Sequence, residues 1–253
     1  MRIVFKDTAQ LQKIIAAVQR ISTTVNIDFD EHGFTLQAMS DNHLFLSRLV
    51  VRSDLFQAFD PPSHAFEAGV NMTVFSELHK MAKSKESVAW EVEPNSDHFD
   101  VYFGGTRIQM RQVNIEEDKL SVPDMQDEAT LVFKNNALLR DWVSKMLTTK
   151  ASVTVEVIPT LIRWVSRSSD WGTIQHEEKF NEDEVRLEGI GPETVRVSLN
   201  ASSFPTILSI VSCGNMFRLG FSKDMPTRAA VALTDAGQST MSVYIAPQMD
   251  DED

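Results

Sequence analysis

The sequence predicts an α+β fold made of two similar halves, each with an antiparallel sheet backed by two short helices. Residues 8–21 and 136–149 share one amphipathic pattern, and their apolar positions coincide when the two segments are aligned. A second helical pattern begins at Asn71 and returns at Asn200. Many short β-type segments fill the chain between these helices. Such a duplicated plan indicates a pseudo-symmetric scaffold rather than a single catalytic pocket.

The first predicted helix has one apolar side and one cationic side. Lys13 and Arg20 lie on the cationic side, beside the small residues Ala16 and Ala17. The apolar residues share the opposite face of the helical wheel, and they are Leu11, Ile14, Ile15 and Val18. This helix is therefore predicted to bury one face and to present positive charge on the other.

The other predicted helices follow the same plan less strictly. In the second helix Lys80 lies away from the apolar side but has Glu77 nearby, and in the third Lys145 has Asp141 nearby. The fourth helix has no charged residue, and it is expected to offer Thr206, Ser209 and Cys213 instead.

Alternation and β-branched or aromatic residues predict strands along both halves. Turn-forming residues separate these strands, for example at 31–33 and 234–238. The predicted segments are 34–39, 43–53, 87–94 and 97–105 in the first half, and 151–159, 160–168, 194–200, 216–222, 228–235 and 239–247 in the second.

The segment 114–130 interrupts the duplicated pattern. It is acidic, contains one proline, and lies where the first half ends and the second begins. We therefore predict an N-terminal domain over 1–113, an interdomain linker over 114–130 that is draped over a surface, and a C-terminal domain over 131–253. The acidic end, 248–253, is predicted to be disordered.

The composition is that of a globular protein and gives no sign of an enzyme. The 253 residues are 42% hydrophobic and the net charge is −12, yet the predicted helices have an excess of Lys and Arg. An acidic body with basic helices can bind DNA on one surface, although a few lysines on short helices are also common. The single cysteine, Cys213, fits a reducing compartment and a small buried residue. Without a phosphate loop, metal-ligand cluster, nucleophile motif or secretory segment, we expect a soluble intracellular protein with no catalysis, cofactor or metal.

Two predicted strands have opposite charge. The strand 106–112 is basic and the strand 173–180 is acidic. If both lie at sheet edges, the basic edge of one molecule can pair with the acidic edge of the next, and such head-to-tail contacts can close a ring. The alternative is that both strands have solvated charged faces. The residues predicted to form this subunit interface are Arg107, Ile108, Met110, Arg111, Ile174, His176, Glu177 and Glu178.

A set of short motifs in register identifies a family. The stretch 33–56 contains a Gly-x-x-Leu-Gln-x-Met turn, a His four residues later and an Arg-Ser pair, and further matches follow at 68–83, 120–124, 222–226 and 243–253. Together, over the whole length, they resemble proliferating cell nuclear antigen, the family of eukaryotic DNA sliding clamps. The matching positions in the first stretch are Gly33, Leu36, Gln37, Met39, His43, Arg52 and Ser53.

The resemblance implies a DNA-clamp fold and a homotrimeric ring around double-stranded DNA. Contacts to phosphates would be independent of sequence, so the ring could slide. The implied role is a processivity factor for DNA replication and repair in the nucleus, or at a viral replication site, with a DNA polymerase, a flap endonuclease, a DNA ligase and a clamp loader as partners. The residues expected to face DNA are Lys13, Arg20, Lys80, Lys83, Arg140 and Lys145.

The resemblance also implies a pocket for PIP-box-type peptides, of pattern Gln-x-x-aliphatic-x-x-aromatic-aromatic, between the linker and the second domain. Apolar walls and the exposed backbone of Ala246 suit an aromatic plug and a glutamine side chain. From the residues alone, Met39 and Leu46 would be ordinary core residues and His43 a packing histidine. The matching positions are Met39, His43, Leu44, Leu46, Leu120, Val122, Pro123, Pro226, Tyr244, Ile245, Ala246 and Pro247.

Some positions depart from the family's pattern. Ser202 and Ser209 stand near positions where the family has basic residues, and Glu77 replaces a frequent lysine. Pro159 falls near the family's ubiquitin-attachment lysine, and the aromatic residue that follows the family's linker is replaced near Ala129. The alternative with the same fold is a subunit of a checkpoint-type heterotrimeric clamp.

Overall fold

The structure, a computed structural model, forms two compact units. Unit 1 comprises residues 1–42, 46–122 and 232–241, and unit 2 contains the rest of the chain. The residues that the structure describes are 1–116, 120–122, 125–134, 136–147, 152–170, 172–189 and 194–248.

Unit 1 contains two antiparallel sheets and two helices. Its strand orders are β5-β1-β7-β8-β9 and β6-β2-β3-β4. A 3₁₀ turn at Ser53–Leu55 lies between β4 and β5. The elements are β1 (Arg2–Phe5), α1 (Thr8–Gln19), β2 (Thr24–Asp30), β3 (Gly33–Met39), β4 (Phe45–Arg52), β5 (Phe56–Asp60), β6 (Phe66–Asn71), α2 (Met72–Met81), β7 (Ala89–Val92), β8 (His98–Phe103) and β9 (Thr106–Arg111).

Unit 2 repeats the same element order. Its strand orders are β14-β10-β16-β17-β18 and β13-β12-β11-β15. The elements are β10 (Ala129–Phe133), α3 (Asn136–Leu147), β11 (Val153–Ile158), β12 (Leu161–Ser168), β13 (Gly172–Lys179), β14 (Val185–Glu188), β15 (Val195–Leu199), α4 (Ser203–Val211), β16 (Met216–Phe221), β17 (Thr227–Ala232) and β18 (Thr240–Ile245).

The strand pairing is duplicated as well as the element order. Strand β1 pairs with β5 and β7, and β10 pairs with β14 and β16. Strand β2 pairs with β3 and β6, and β11 pairs with β12 and β15. The predicted α+β fold of two similar halves is therefore confirmed.

Each unit has an aromatic core between its helices and its sheets. Five rings of unit 1 contact one another in the core, and they are Phe5, Phe34, Phe75, Trp90 and Phe99. In unit 2 the corresponding fully buried rings are Phe133, Trp142, Trp164, Phe204 and Phe217. Burial of a side chain of this size contributes about 1.5–3 kcal/mol, so these rings are a main source of stability in each unit.

The N-terminal caps show why α1 and α2 begin where they do. The carboxylate of Asp7 accepts a bond of 3.0 Å from the Gln10 N–H, and the Asn71 side chain accepts bonds from the Thr73 and Val74 N–H groups. These side chains satisfy N–H groups that have no partner within the helix.

Gly33 is required by the backbone of β3. Its φ is +146°, and a Cβ atom built there would lie 2.2 Å from the Val51 carbonyl oxygen. No other residue fits this close approach. The first glycine of the family motif is thus explained by the geometry of the β3–β4 pair.

The sequence patterns missed some elements and misplaced others. Strands β1, β2, β5, β6, β10 and β14 were not predicted, because most of them are short and β6 runs directly into α2. Ala129 and Thr130, the last residues of the predicted linker, are the buried first residues of β10. Ala17 is buried rather than beside the exposed cations of α1.

Three further observations concern single features of the chain. Cys213 is buried, as predicted. Within the described residues, no helix combines the length and the apolar character needed to cross a membrane. The predicted disorder of the acidic end concerns 248–253, of which only Gln248 lies within the described residues.

Candidate nucleic-acid and partner surfaces

Helix α1 separates its apolar and cationic residues as the pattern predicted. Leu11 and Val18 are buried, whereas Lys13 and Arg20 are exposed. Lys13 and Arg20 are two turns apart, which is roughly 10 Å along the axis. Neither side chain makes an ion pair with any described residue. The exposed side of α1 is therefore free to contact an anion.

Helix α2 presents a mixed surface. Lys80 is exposed, and so is Glu77 one turn earlier. Lys83 is exposed beyond the end of the helix, where its backbone N–H donates to the Glu86 carboxylate at 2.8 Å. Met81 is 61% exposed, which is unusual for a large apolar side chain. The positive charge of α2 is thus partly offset by an adjacent acid.

The helices of unit 2 offer less free positive charge. Arg140 on α3 is exposed, but the Lys145 ammonium donates to the Asp141 carboxylate at 2.5 Å. Thr206 and Cys213 were expected on the exposed side of α4, but both are buried, which for Cys213 agrees with the separate prediction of a small buried residue. The free cations therefore lie mostly on the helices of unit 1.

The last strand of unit 2 buries one of its predicted peptide-contact residues. Ile245 is fully buried, because strand alternation turns it into the core, whereas Tyr244 and Pro247 are half-buried. The Ala246 N–H donates to the Leu44 carbonyl at 3.0 Å. Ile245 therefore cannot line a pocket with its side chain, and Ala246 offers its carbonyl oxygen rather than its N–H.

Other predicted pocket residues are more exposed than their sequence pattern suggests. Met39 and Leu46 are half-buried cross-strand partners on β3 and β4, so the expectation of ordinary core residues is wrong. His43 is exposed and adopts a φ of +56°, so it is not a buried packing histidine. Leu44 and Pro226 are half-buried. Pro123 lies outside the described residues.

The predicted linker contacts unit 1 through side chains whose role the sequence did not reveal. The Gln37 amide donates to the Leu120 carbonyl at 2.7 Å and accepts from the Leu120 N–H at 2.9 Å. The Asn26 amide donates to the Ile115 carbonyl at 3.0 Å. Leu120 itself is exposed and Val122 is half-buried. Gln37 is part of the family motif, but only the structure shows what its amide binds.

The end of the linker is fixed to unit 2 by a second group. Ser222 accepts from the Glu128 N–H at 3.1 Å and donates to the Gln126 carbonyl at 3.2 Å. The Asp127 carboxylate, almost completely buried, accepts from Arg228. Because the charge of Asp127 is paired with Arg228, whose side chain is 33% exposed, the burial of the Asp127 carboxylate is tolerated.

The two charged strands lie at the outer positions of their sheets. Strand β9 follows β8 at one end of its sheet, and β13 precedes β12 at one end of another. Ile108 and Ile174 are half-buried, as is His176, whose ring lies 6.2 Å from that of Trp142. Met110 is buried, because it points into the unit 1 core, so it is not a surface contact.

Some of the charges at these edges have partners within their own sheets. Arg107 donates to Asp100 at 2.7 Å, and Arg163 donates to Glu177 at 2.6 Å. The hydrogen bond from Arg163 holds the pKa of the Glu177 carboxyl below its usual value. Arg111 is exposed, and Glu178 lies 3.8 Å from His176. Complementary charge between edges would therefore act mainly through Arg111 and Glu178.

Comparison with known proteins gives matches along the whole chain. The family model for "Proliferating cell nuclear antigen, N-terminal domain" matches residues 1–129. Proliferating cell nuclear antigen of Chaetomium thermophilum is 19% identical, with 96% of each chain covered. Proliferating cell nuclear antigen 1 of Plasmodium falciparum is 21% identical, with 96% of this chain and 94% of the relative covered. The crystal structure of the Entamoeba histolytica protein of that name superposes with a TM-score of 0.87 at 15% identity, covering 98% of both chains.

Proposed function

The chain belongs to the proliferating cell nuclear antigen family, and on this premise we propose that three copies form a ring that encircles duplex DNA. Members of this family are sliding clamps and not enzymes. The protein would hold replication and repair enzymes on DNA by topology rather than by tight binding. Its expected place of action is the nucleus.

The exposed cationic side of α1 is the observation that supports DNA binding most directly. Lys13 and Arg20 face solvent on a helix whose other side is buried, and no described acid neutralises them. Lysine and arginine contacts to phosphates release counterions and do not depend on sequence. With a net charge of −12 on the whole chain, DNA would be repelled from most other surfaces.

The edges of the sheets support self-assembly. Strands β9 and β13 each have one side without a described partner strand, and an exposed edge of this kind is a template for pairing with another chain. Pairing β9 of one copy with β13 of the next is a head-to-tail contact, which closes into a ring when the rotation permits. We propose Ile108, Arg111, Ile174 and Glu178 as its main contacts.

We propose that partner peptides dock in part on unit 2 around Tyr244. Tyr244 and Pro247 are half-buried, and the Ala246 carbonyl is available to accept a bond from a glutamine side chain. Half-buried aromatic and prolyl groups suit an aromatic plug. A DNA polymerase, a flap endonuclease, a DNA ligase and a clamp loader are the proposed classes of partner.

A threading experiment tests the ring. The protein is mixed with linear duplex DNA at low salt, both DNA ends are then blocked by bulky protein adducts, and the salt is raised. A ring that encloses DNA should stay on the end-blocked duplex and leave the open-ended duplex, because salt removes phosphate contacts but not topology. Equal loss from both duplexes would contradict the proposal.

A further inference from the structure

A groove of about 350 Å³ lies on one face of the β2-β3-β4 sheet in unit 1. Leu36 on β3 and Leu49 on β4 are buried in the core. Because side chains alternate along a strand, their neighbours Gln37 and Arg48 point to the opposite face of the sheet. Arg48 on β4 is the cross-strand partner of Gln37 on β3. Its guanidinium therefore lies beside the residue that holds the linker.

The linker forms one wall of this groove. Leu120 and Val122 line it, and the two hydrogen bonds from the Gln37 amide fix the Leu120 backbone against β3. Because those bonds use the Gln37 carbonyl and one N–H of its amide, Gln37 acts mainly as a support for the wall. Leu120 is 41% exposed, so the wall presents an apolar side chain at its rim.

Arg48 is an unpaired cation in the described part of the groove. It is exposed, and it makes no ion pair with any described residue. Among the described residues of the lining, the other charged residue is Asp28 on β2, which is separated from β4 by β3. A guanidinium can bind a carboxylate through two parallel N–H···O bonds. The chemistry at the β4 side of the groove thus fits an acidic side chain.

We propose that this groove is an accessory subsite for an acidic residue in the segment that flanks a docked partner peptide, with Arg48 as the residue that determines the preference. The proposal rests on the proposed docking of partner peptides. Its support is continuity and charge: Leu120 and Val122 are both groove residues and predicted peptide contacts, and Arg48 supplies an unpaired cation next to them.

Peptide binding with varied flanks tests the subsite. Three synthetic peptides share the core Gln-x-x-Leu-x-x-Phe-Phe and differ only in flanks of Ser, Asp or Lys on both sides. Their affinities are measured by fluorescence anisotropy on the full chain, on Arg48→Ala, on Arg48→Glu and on the control Lys134→Ala. Lys134 is an exposed lysine of unit 2 whose loss changes the net charge as Arg48→Ala does.

We expect the Asp-flanked peptide to bind about 3- to 5-fold more tightly than the Ser-flanked peptide, because an exposed charge pair contributes up to about 1 kcal/mol. This ratio should fall to about 1 in Arg48→Ala, reverse in favour of Lys flanks in Arg48→Glu, and persist in Lys134→Ala. A ratio that is unchanged in Arg48→Ala, or absent from the unaltered chain, overturns the subsite while peptide docking stands. If the Ser-flanked peptide does not bind at all, the proposed docking fails and the subsite with it.

Discussion

In the core of unit 1 the imidazole of His79 is fully buried between α2 and β7. The Trp90 indole N–H donates to its Nε2 at 2.8 Å, so Nε2 has no proton. Nδ1 therefore has the proton and donates to the Phe75 carbonyl at 2.6 Å. Burial lowers the pKa of His79 to about 4, and the ring is neutral at physiological pH.

This neutral histidine should make stability depend on pH. Below about pH 6.5 the unfolded chain takes up a proton on His79 while the folded chain does not, so stability falls as the pH drops from about 6.5 to about 4, where the folded state also protonates. The effect is at most about 3 kcal/mol. Urea unfolding at a series of pH values should show a flatter dependence in His79→Gln than in the unaltered chain. The exposed His32→Gln is the control, and equal slopes in both variants would refute the assignment.

At the scale of the elements, the sequence predicted best those features that depend on neighbouring residues in the chain, such as the first residue of a helix. The starts of α1 and α3 follow from their amphipathic pattern and lie at the predicted residues Thr8 and Asn136. Strand β10 could not be predicted, because five consecutive buried residues become a strand only between β14 and β16. The exposed side of α4 was predicted wrongly for the same reason. The sheet that packs against this helix decides which of its sides is buried.

The helices of the two units should contribute unequally to DNA binding. Lys13 and Arg20 are free, whereas Lys145 is bound to Asp141 and only Arg140 is free on α3. The slope of log affinity against log salt changes by about 0.9 for each phosphate contact. For each subunit in contact with the duplex, we therefore expect the magnitude of the slope to fall by about 2 in Lys13→Ala/Arg20→Ala and by about 1 in Arg140→Ala/Lys145→Ala.

These two double variants remove the same charge, so each is the matched control of the other. The measurement is a salt titration of binding to a linear duplex. Equal changes of slope would mean that the Asp141 pair opens readily on DNA. No change in the first variant would show that α1 does not face the duplex.

At the scale of the whole molecule, duplication is the main principle of construction. The sequence reveals it only in the helices, where apolar positions coincide, whereas the structure shows that strand order and pairing are also repeated. The burial and the contacts of several single side chains could not be predicted from the sequence. Ile245 was expected in a peptide pocket and Met110 at a subunit interface, but both alternate into the core. Gln37 fixes the linker through hydrogen bonds that no spacing of residues indicates.

The mass of the purified chain under native conditions tests the central claim most directly. Edge pairing of β9 with β13 predicts a closed assembly with three times the mass of one chain at micromolar concentration, measured by native mass spectrometry or sedimentation. A stable species with the mass of a single chain at that concentration would contradict the ring, and with it the enclosure of DNA by the helices.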